Sequence, residues 1–185
     1  MSTKQLEKFS TSVEIPENVK VSFKPSMLTV EGPLGKTYKN FKKIPVDIEI
    51  NDNMVLLKAQ GTRNANYAIM NTARSIIRNL LEGVINGYTI KMKVVFSHFP
   101  INVKIDGKQV LIENFQGERA PRVTKIWGDT KVVPKGDDVI ITGHVLTDVS
   151  QTAAEIENGS KVKNKDHRVF LDGIYKFEKK KGIEK

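Results

Sequence analysis

The sequence has 185 residues, of which 39% are hydrophobic and 28% charged, a composition that is ordinary for one or two globular domains. Its 30 Lys and Arg residues against 21 Asp and Glu give a net charge of +9, which favours a polyanionic partner over a merely soluble basic protein. The lack of cysteine excludes disulfides and cysteine-ligated zinc, and the lack of a long apolar run or a signal-peptide core predicts a cytosolic protein without a membrane span.

The first distinctive feature in chain order is the stretch V-E-G-P-L-G-K-T-Y at 30–38, which ends like a phosphate-binding loop. Such a loop needs a glycine five positions before Gly35, but that position is Val30. It also needs a helix next, whereas residues 38–41 alternate apolar and polar side chains like a strand. The pattern therefore predicts a hairpin over residues 28–41 and no nucleotide site.

The next predicted element is a helix at about 64–82, because apolar residues recur there at a spacing of three to four. They are Ile69, Ala73, Ile76, Ile77, Leu80 and Leu81. Arg74 and Arg78 lie off this stripe, so we expect the apolar face to pack on a sheet. Gly83 is expected in the left-handed position that ends the helix.

The second half of the chain repeats the first. Residues 19–35 match residues 101–117 without a gap. The predicted strands include V-E-I-P and V-D-I-E-I in the first copy, and K-M-K-V-V-F and D-V-I-I-T-G in the second. The predicted fold is α+β, with two tandem, duplicated domains at 1–85 and 86–185, each a small, mainly antiparallel sheet packed against one principal helix.

The principal helix of the second copy is predicted near the C-terminus. R-N-L-L-E-G-V at 78–84 matches R-V-F-L-D-G-I at 168–174, which suggests a helix with Asn164 as its N-cap. This helix would carry Lys165, Arg168 and Asp172 on one side, with Phe170 and Ile174 roughly opposite. A smaller helix is predicted before it, at 151–157, and a basic C-terminal tail after it.

No catalytic constellation is predicted. His98, His144 and His167 lack the short spacing of a metal-binding pair, and the chain has neither a cysteine nucleophile nor a Gly-x-Ser-x-Gly motif. Asp137 and Asp138 lie between two apolar runs and are typical of a hairpin turn. The sequence therefore predicts no enzyme, no catalytic residue, no cofactor, no metal site and no small-molecule substrate.

Basic and aromatic residues are concentrated in the second copy, where residues 161–181 contain eight basic and three acidic side chains. The candidate RNA-binding residues are Arg119, Arg122, Lys125, Lys163, Lys165, Arg168, Tyr175, Lys176, Lys179 and Lys180. Lys and Arg bond phosphate oxygens, and Tyr175 can stack on a base or bond a 2′-hydroxyl, a combination suited to folded RNA. A solvated basic face is the alternative, and Trp127 fits either a core or a contact position.

Three sequence blocks resemble a known family. They are K-M-K-V-V-F-S-H-F-P-I-N-V at 91–103, E-N-F-Q-G-E-R at 113–119 and N-K-D-H-R-V-F-L-D-G-I-Y at 164–175. They resemble the universal large-subunit ribosomal protein L-six family in its eukaryotic and archaeal form, called L-nine in eukaryotes. The resemblance covers nearly the whole chain, and Lys165, Arg168, Phe170 and the Asp-Gly-Ile-Tyr that ends the third block match the family's C-terminal pattern. Asn158 replaces the expected Gln, and Lys176 replaces an aliphatic residue.

The resemblance implies a structural role in the cytosolic ribosome. A protein of this family would bind and stabilise large-subunit ribosomal RNA near the sarcin-ricin stem-loop and the base of the lateral stalk, next to other ribosomal proteins and away from membranes. We expect most of the RNA binding in the second copy. An RNA-binding assembly factor that is not retained in mature subunits is the alternative, and an enzyme is a third reading.

Overall fold

The computed structural model describes residues 9–51, 53–166 and 168–183. These residues divide into two compact units, with the break between Asn86 and Gly87. No helix within the described ranges is long and apolar enough to cross a membrane.

The described part of the first unit forms six strands and one helix. In chain order they are β1 (Ser10–Glu14), β2 (Lys20–Lys24), β3 (Met27–Gly32), β4 (Gly35–Asn40), β5 (Val46–Asn51), β6 (Met54–Ala59) and α1 (Asn64–Ile85). The strands form two antiparallel sheets, in the orders β1-β6-β5 and β2-β3-β4. Apolar residues of both sheets and of α1 form one core. The strands contribute every second side chain to this core, and α1 contributes side chains spaced three to four residues apart.

The predicted hairpin is confirmed. β3 pairs with β4 so that Gly32 lies opposite Gly35, and the loop between them is the two residues Pro33 and Leu34. Val30 is fully buried in the core, and its strand does not open into a phosphate loop.

The predicted stripe of α1 is confirmed, but its predicted end is wrong. Ala73, Ile77 and Leu81 are buried against the sheets, whereas Gly83 lies within the helix, which continues to Ile85. The left-handed residue is Gly87, with φ of 74°, after Asn86. The reason is a tertiary contact. A Cβ added at Gly32 would lie 2.7 Å from the Val84 side chain, which shows that the β3–β4 hairpin packs closely on the last turn of α1. This contact keeps the last turn helical.

The second unit contains seven described strands and one described α-helix. They are β7 (Tyr88–Val95), β8 (Asn102–Asp106), β9 (Gln109–Glu113), β10 (Arg122–Lys125), β11 (Lys131–Lys135), β12 (Asp138–Gly143), α2 (Leu146–Gly159) and β13 (Gly173–Lys181), with a 3₁₀ turn at Phe115–Gly117. The sheets have the orders β10-β9-β8 and β11-β12-β7-β13. The β11–β12 hairpin confirms the turn predicted around Asp137.

The duplication is confirmed in the arrangement of the elements. The β1-β6-β5 sheet corresponds to β7-β12-β11, and the β2-β3-β4 sheet corresponds to β8-β9-β10. α2 begins at Leu146, which is 146 − 64 = 82 residues after the first residue of α1, the same offset as the matched strands. β13 has no counterpart in the described part of the first unit, and it pairs with the edge of β7.

The prediction of a principal helix after Asn164 is therefore wrong. The principal helix of the second unit is α2, and it contains the segment at 151–157 that was predicted as a smaller helix. Asn164 is in the left-handed region, with φ of 58°, and cannot start a helix as its N-cap. The Asp166 side chain accepts the Arg168 N–H at 2.9 Å and closes a local turn. The predicted basic tail is strand β13, which buries Ile174 opposite Val94.

Candidate nucleic-acid interface

The loop between α2 and β13, described at residues 161–166 and 168–172, is anchored at both ends. Ser160 is 1% exposed, and its Oγ accepts the Ile174 N–H at 2.9 Å. The same hydroxyl donates to the Glu157 carbonyl at 3.2 Å. The end of the helix and the start of the strand are thus joined, and the connecting loop leaves and re-enters the unit at one fixed place.

Asp172 joins three segments at the end of this loop. Only 9% of the residue is exposed. Its Oδ1 accepts the backbone N–H of Ser97 at 2.9 Å, and its Oδ2 accepts an N–H of the Gln116 amide at 3.3 Å. The carboxylate therefore holds the loop after β7 and the 3₁₀ turn against the start of β13.

Arg122 serves as a clamp within the protein. Its guanidinium donates to both carboxylate oxygens of Glu118 at 2.6 and 2.8 Å, and to the carbonyls of Gly159 and Lys161 at 3.0 and 2.9 Å. It also lies 3.9 Å from the centroid of the Phe115 ring. Four of its five N–H groups are used in this way, and 18% of the side chain is exposed.

The pKa of Glu118 reflects the basic side chains that lie close to its carboxyl group. The hydrogen bond from Arg122 lowers the pKa of Glu118, while partial burial opposes that shift. The positive charges of Lys163 and Lys165 add to the lowering of this pKa. The structure therefore brings Arg122, Lys163 and Lys165 into one neighbourhood, although they come from different parts of the sequence.

Other predicted cations near this place face solvent. Arg119 and Lys163 are exposed and make no hydrogen bond or ion pair with any described residue. The side chain of Arg168 is 91% exposed, and its guanidinium pairs with Asp166 in the same turn at 3.3 Å. The ammonium of Lys165 lies 4.8 Å from the centroid of the Phe170 ring, as a cation–π pair.

The remaining predicted residues are engaged elsewhere in the second unit. Lys176 forms an ion pair with Glu157 at 2.9 Å, and the Tyr175 hydroxyl donates to the Leu171 carbonyl at 3.1 Å. Lys125 lies 4.9 Å from the ring centroid of the partly exposed Trp127.

Lys179 and Lys180 lie farther along β13, opposite Ile90 and Thr89. At about 3.3 Å per residue, they are roughly 20 Å from Gly173, where the loop ends. The predicted set is thus split between the loop and the far end of the strand.

Exposed aromatic side chains are the feature that sequence reasoning mostly missed, since only Tyr175 among them is a predicted RNA contact. Phe96, Phe99, Phe170, Tyr175 and Phe177 are each between 39% and 57% exposed. The sequence pattern places Phe170 on the buried side of a helix that does not form. The available signal was the number of aromatic residues close to the basic segment in the sequence.

A pocket of about 250 Å³ lies beside the loop. Its lining includes Phe99, Gln116, Lys165, Phe170 and Asp172. Basic, aromatic and amide groups thus surround one concave surface. No three His, Asp or Glu side chains in the described ranges are placed to hold a metal ion, and His167 lies outside those ranges.

Known proteins resemble this chain over nearly its whole length. The family described as Ribosomal protein L6 matches residues 99–173, which include the 3₁₀ turn, α2 and the loop. Large ribosomal subunit protein uL6 of Methanosarcina mazei is 39% identical over 174 residues, covering 94% of this chain and 99% of that protein. The chain belongs to the uL6 family. Proteins of the same name from Methanobrevibacter smithii and Desulfurococcus amylolyticus are 43% and 42% identical, each over 90% of the chain and 94% and 92% of their own lengths. The uL6 relatives confirm the resemblance drawn from the sequence blocks.

Proposed function

We propose that this chain is a structural constituent of the large ribosomal subunit and that its second unit binds ribosomal RNA. The observation that carries the proposal is the loop surface, where the Lys165 ammonium lies 4.8 Å from the ring of Phe170 and lines one pocket with Phe170 and Phe99. Exposed Lys163 and Arg168 belong to the same loop. The uL6 relatives, which are named as proteins of the large ribosomal subunit, support the ribosomal part.

The chemistry of this surface suits RNA. Each Lys or Arg that neutralises a phosphate releases condensed counterions, which gives a favourable and salt-dependent contribution to binding. Exposed aromatic rings stack on unpaired bases, which are found in RNA loops and bulges. Since Ser160 and Asp172 already fix the ends of the loop, less conformational entropy is lost when RNA binds.

Within the predicted set, we assign different roles to different residues. Arg119, Lys163, Lys165 and Arg168 are the proposed phosphate contacts. Arg122 acts as a positioning residue, because its guanidinium is already engaged inside the protein.

The other predicted residues take lesser roles. Lys176 and Lys180 are partly neutralised by Glu157 and Glu178 and contribute less. Tyr175 and Lys179 extend the surface along β13. Lys125, beside Trp127, is a peripheral contact.

The proposed location in the subunit rests on family membership. We place the second unit at the sarcin-ricin region and the base of the lateral stalk of the cytosolic ribosome, with neighbouring ribosomal proteins there as further partners. The proposed role is structural: Lys and Arg side chains neutralise phosphates and hold packed RNA in position, and no catalytic step is required.

Sedimentation tests the ribosomal assignment. A tagged copy of the full chain, expressed in its native cells, should be recovered stoichiometrically with mature large subunits in a sucrose gradient. Recovery only in precursor particles would instead identify an assembly factor. Absence from both fractions would refute the ribosomal role. RNA cross-linking of the same fractions then tests the sarcin-ricin location, because the cross-linked nucleotides should map to that stem-loop.

A further inference from the structure

We propose that the pocket beside Asp172 takes up one unstacked RNA base and that the Gln116 amide bonds the edge of that base. This inference rests on the proposed RNA binding and goes beyond it, because phosphate contacts alone need no pocket. At about 250 Å³, the pocket is smaller than the roughly 300–1,000 Å³ that encloses a drug-sized ligand. Its size suits a single planar heterocycle.

Aromatic side chains form part of the pocket lining, and Phe99 is held in place by its neighbours. Phe99 packs against Gly117, where an added Cβ would lie 3.4 Å from the ring, and His98 meets Phe99 edge-on with ring centroids 4.8 Å apart. The Asn114 amide donates to the Pro100 carbonyl at 3.0 Å and ties the 3₁₀ turn to the segment that carries Phe99. Phe170 lines the pocket from the loop. A base that enters finds aromatic faces already in place.

Gln116 is held in an unusual conformation. Its φ of 50° and ψ of 31° lie in the left-handed region, which a non-glycine residue with a long side chain rarely adopts. Such backbone strain persists where the surroundings enforce it, and it is concentrated at binding sites. Here the neighbouring Gly117 also has positive φ, and together they direct the Gln116 side chain to Asp172 at the pocket.

The amide of Gln116 is also oriented. The Asp172 carboxylate is only an acceptor, so the hydrogen bond at 3.3 Å requires the amide nitrogen rather than its oxygen to face it. One N–H is thereby used, which leaves the second N–H and the carbonyl oxygen of the amide for a ligand. That donor–acceptor pair matches the edge of a base that offers an adjacent acceptor and donor, as adenine does. Lys165 lies at the same pocket and can contact a phosphate of the same strand.

The proposal is tested with a large-subunit ribosomal RNA fragment and two conservative variants of the full chain. Phe99→Leu removes an aromatic face but keeps an apolar side chain there. Gln116→Asn withdraws the amide by one methylene, and Asn tolerates the left-handed backbone. Each should lower RNA affinity roughly 5- to 100-fold, as for the removal of one stack or one bidentate base interaction. Neither should change the dependence of affinity on salt, because both variants keep every phosphate-binding side chain.

Base-selective chemical probing gives the second readout. In the wild-type complex one unpaired nucleotide should change its base reactivity, and that change should disappear with saturating Gln116→Asn protein while other protections persist. Lys163→Gln is the control that should show the opposite pattern, with a weaker salt dependence and an unchanged base signature. Tyr38→Leu, at an exposed aromatic residue of the first unit, should affect neither.

The outcomes separate the two proposals. If wild-type protein binds the RNA but both pocket variants match its affinity and base reactivities, the base pocket is refuted and the RNA interface stands. If wild-type protein binds no large-subunit RNA, both proposals are refuted. Circular dichroism and thermal melting establish that each variant is folded.

Discussion

Ser160 and Ile174 are joined by a hydrogen bond across fourteen residues of sequence, in which a buried serine oxygen accepts a backbone N–H of the sheet at 2.9 Å. The bond fixes the distance between the two ends of the loop that carries the basic surface. Its removal would leave the Ile174 N–H buried without this acceptor, because Ile174 is fully buried.

Ser160→Ala should therefore lower the free energy of unfolding by about 1–3 kcal/mol, the usual consequence of leaving a buried donor unsatisfied. Urea denaturation measures this effect. Ser75→Ala is the matched control, since the Ser75 hydroxyl is exposed on α1 and bonds only the Asn71 carbonyl one turn earlier. The control should change stability by less than about 0.5 kcal/mol. Equal effects of the two substitutions would count against an anchoring role for Ser160.

Arg122→Lys tests the clamp. Lysine keeps the charge but lacks the planar fork that reaches Glu118 and two carbonyls at once, so stability should fall by about 1–3 kcal/mol. Arg119→Lys, at an exposed site, should be nearly neutral in the same urea melts. RNA binding should rank the two positions in the reverse order, because Arg119→Gln should weaken the salt dependence more than Arg122→Gln does. An Arg122→Lys protein as stable as the wild type would disprove the clamp.

The lowered pKa of Glu118 predicts a contribution to acid sensitivity. A carboxyl whose folded-state pKa lies below its unfolded value, here near 4.5, stabilises the fold above that value and loses this contribution as the pH falls through the folded-state pKa. Because the side chain is 43% exposed, solvent screening limits the effect to about 0.2–1 kcal/mol. Glu118→Gln should reduce stability at pH 7 and flatten its decline below pH 4.5 in urea melts. An unchanged acid limb in the variant would contradict the prediction.

The paired substitutions Lys165→Glu and Arg168→Glu should weaken binding to a large-subunit RNA fragment and make it less dependent on salt. The slope of log affinity against log salt should decrease by roughly 0.7–0.9 for each phosphate that is no longer neutralised. Both side chains lie in the exposed loop, so the fold should be retained. Filter binding across a salt series provides the measurement.

Arg74→Glu with Arg78→Glu is the matched control for charge reversal, because both residues are exposed on α1 in the first unit. This control should lose less affinity than the loop variant. A larger loss in the first unit would move the proposed RNA site away from the loop.

Local patterns predicted most of the first unit correctly. The hairpin at 28–41 and the stripe on α1 are each determined by residues close in sequence, whose alternation or three-to-four spacing has one structural solution. The end of α1 was predicted wrongly because it depends on Gly32, which is distant in sequence and packs on Val84.

The second unit shows where sequence similarity misleads. The match of 78–84 with 168–174 pairs Leu81, which is 4% exposed in the core, with Leu171, which is 59% exposed in the loop. Two sets of contacts determine the structure of this segment. β13 pairs with the edge of β7, and Asp172 accepts hydrogen bonds from two other segments. None of these partners is near in sequence. The basic character of the site and the choice of Tyr175 follow from the sequence, whereas the exposed phenylalanine rings and the pocket could not be predicted.

Strand β13 has a further consequence for the protein before it meets any partner. It is the outermost strand of its sheet and nine residues long, so its outer backbone groups could pair with another chain. Four of its nine residues are lysines, and its pairing with β7 is interrupted by an irregularity between Lys176 and Glu178. Charge repulsion and a local kink are two means by which natural sheets resist edge-to-edge aggregation. The same lysines that enrich this segment in positive charge therefore also disfavour pairing of its outer edge with a second chain.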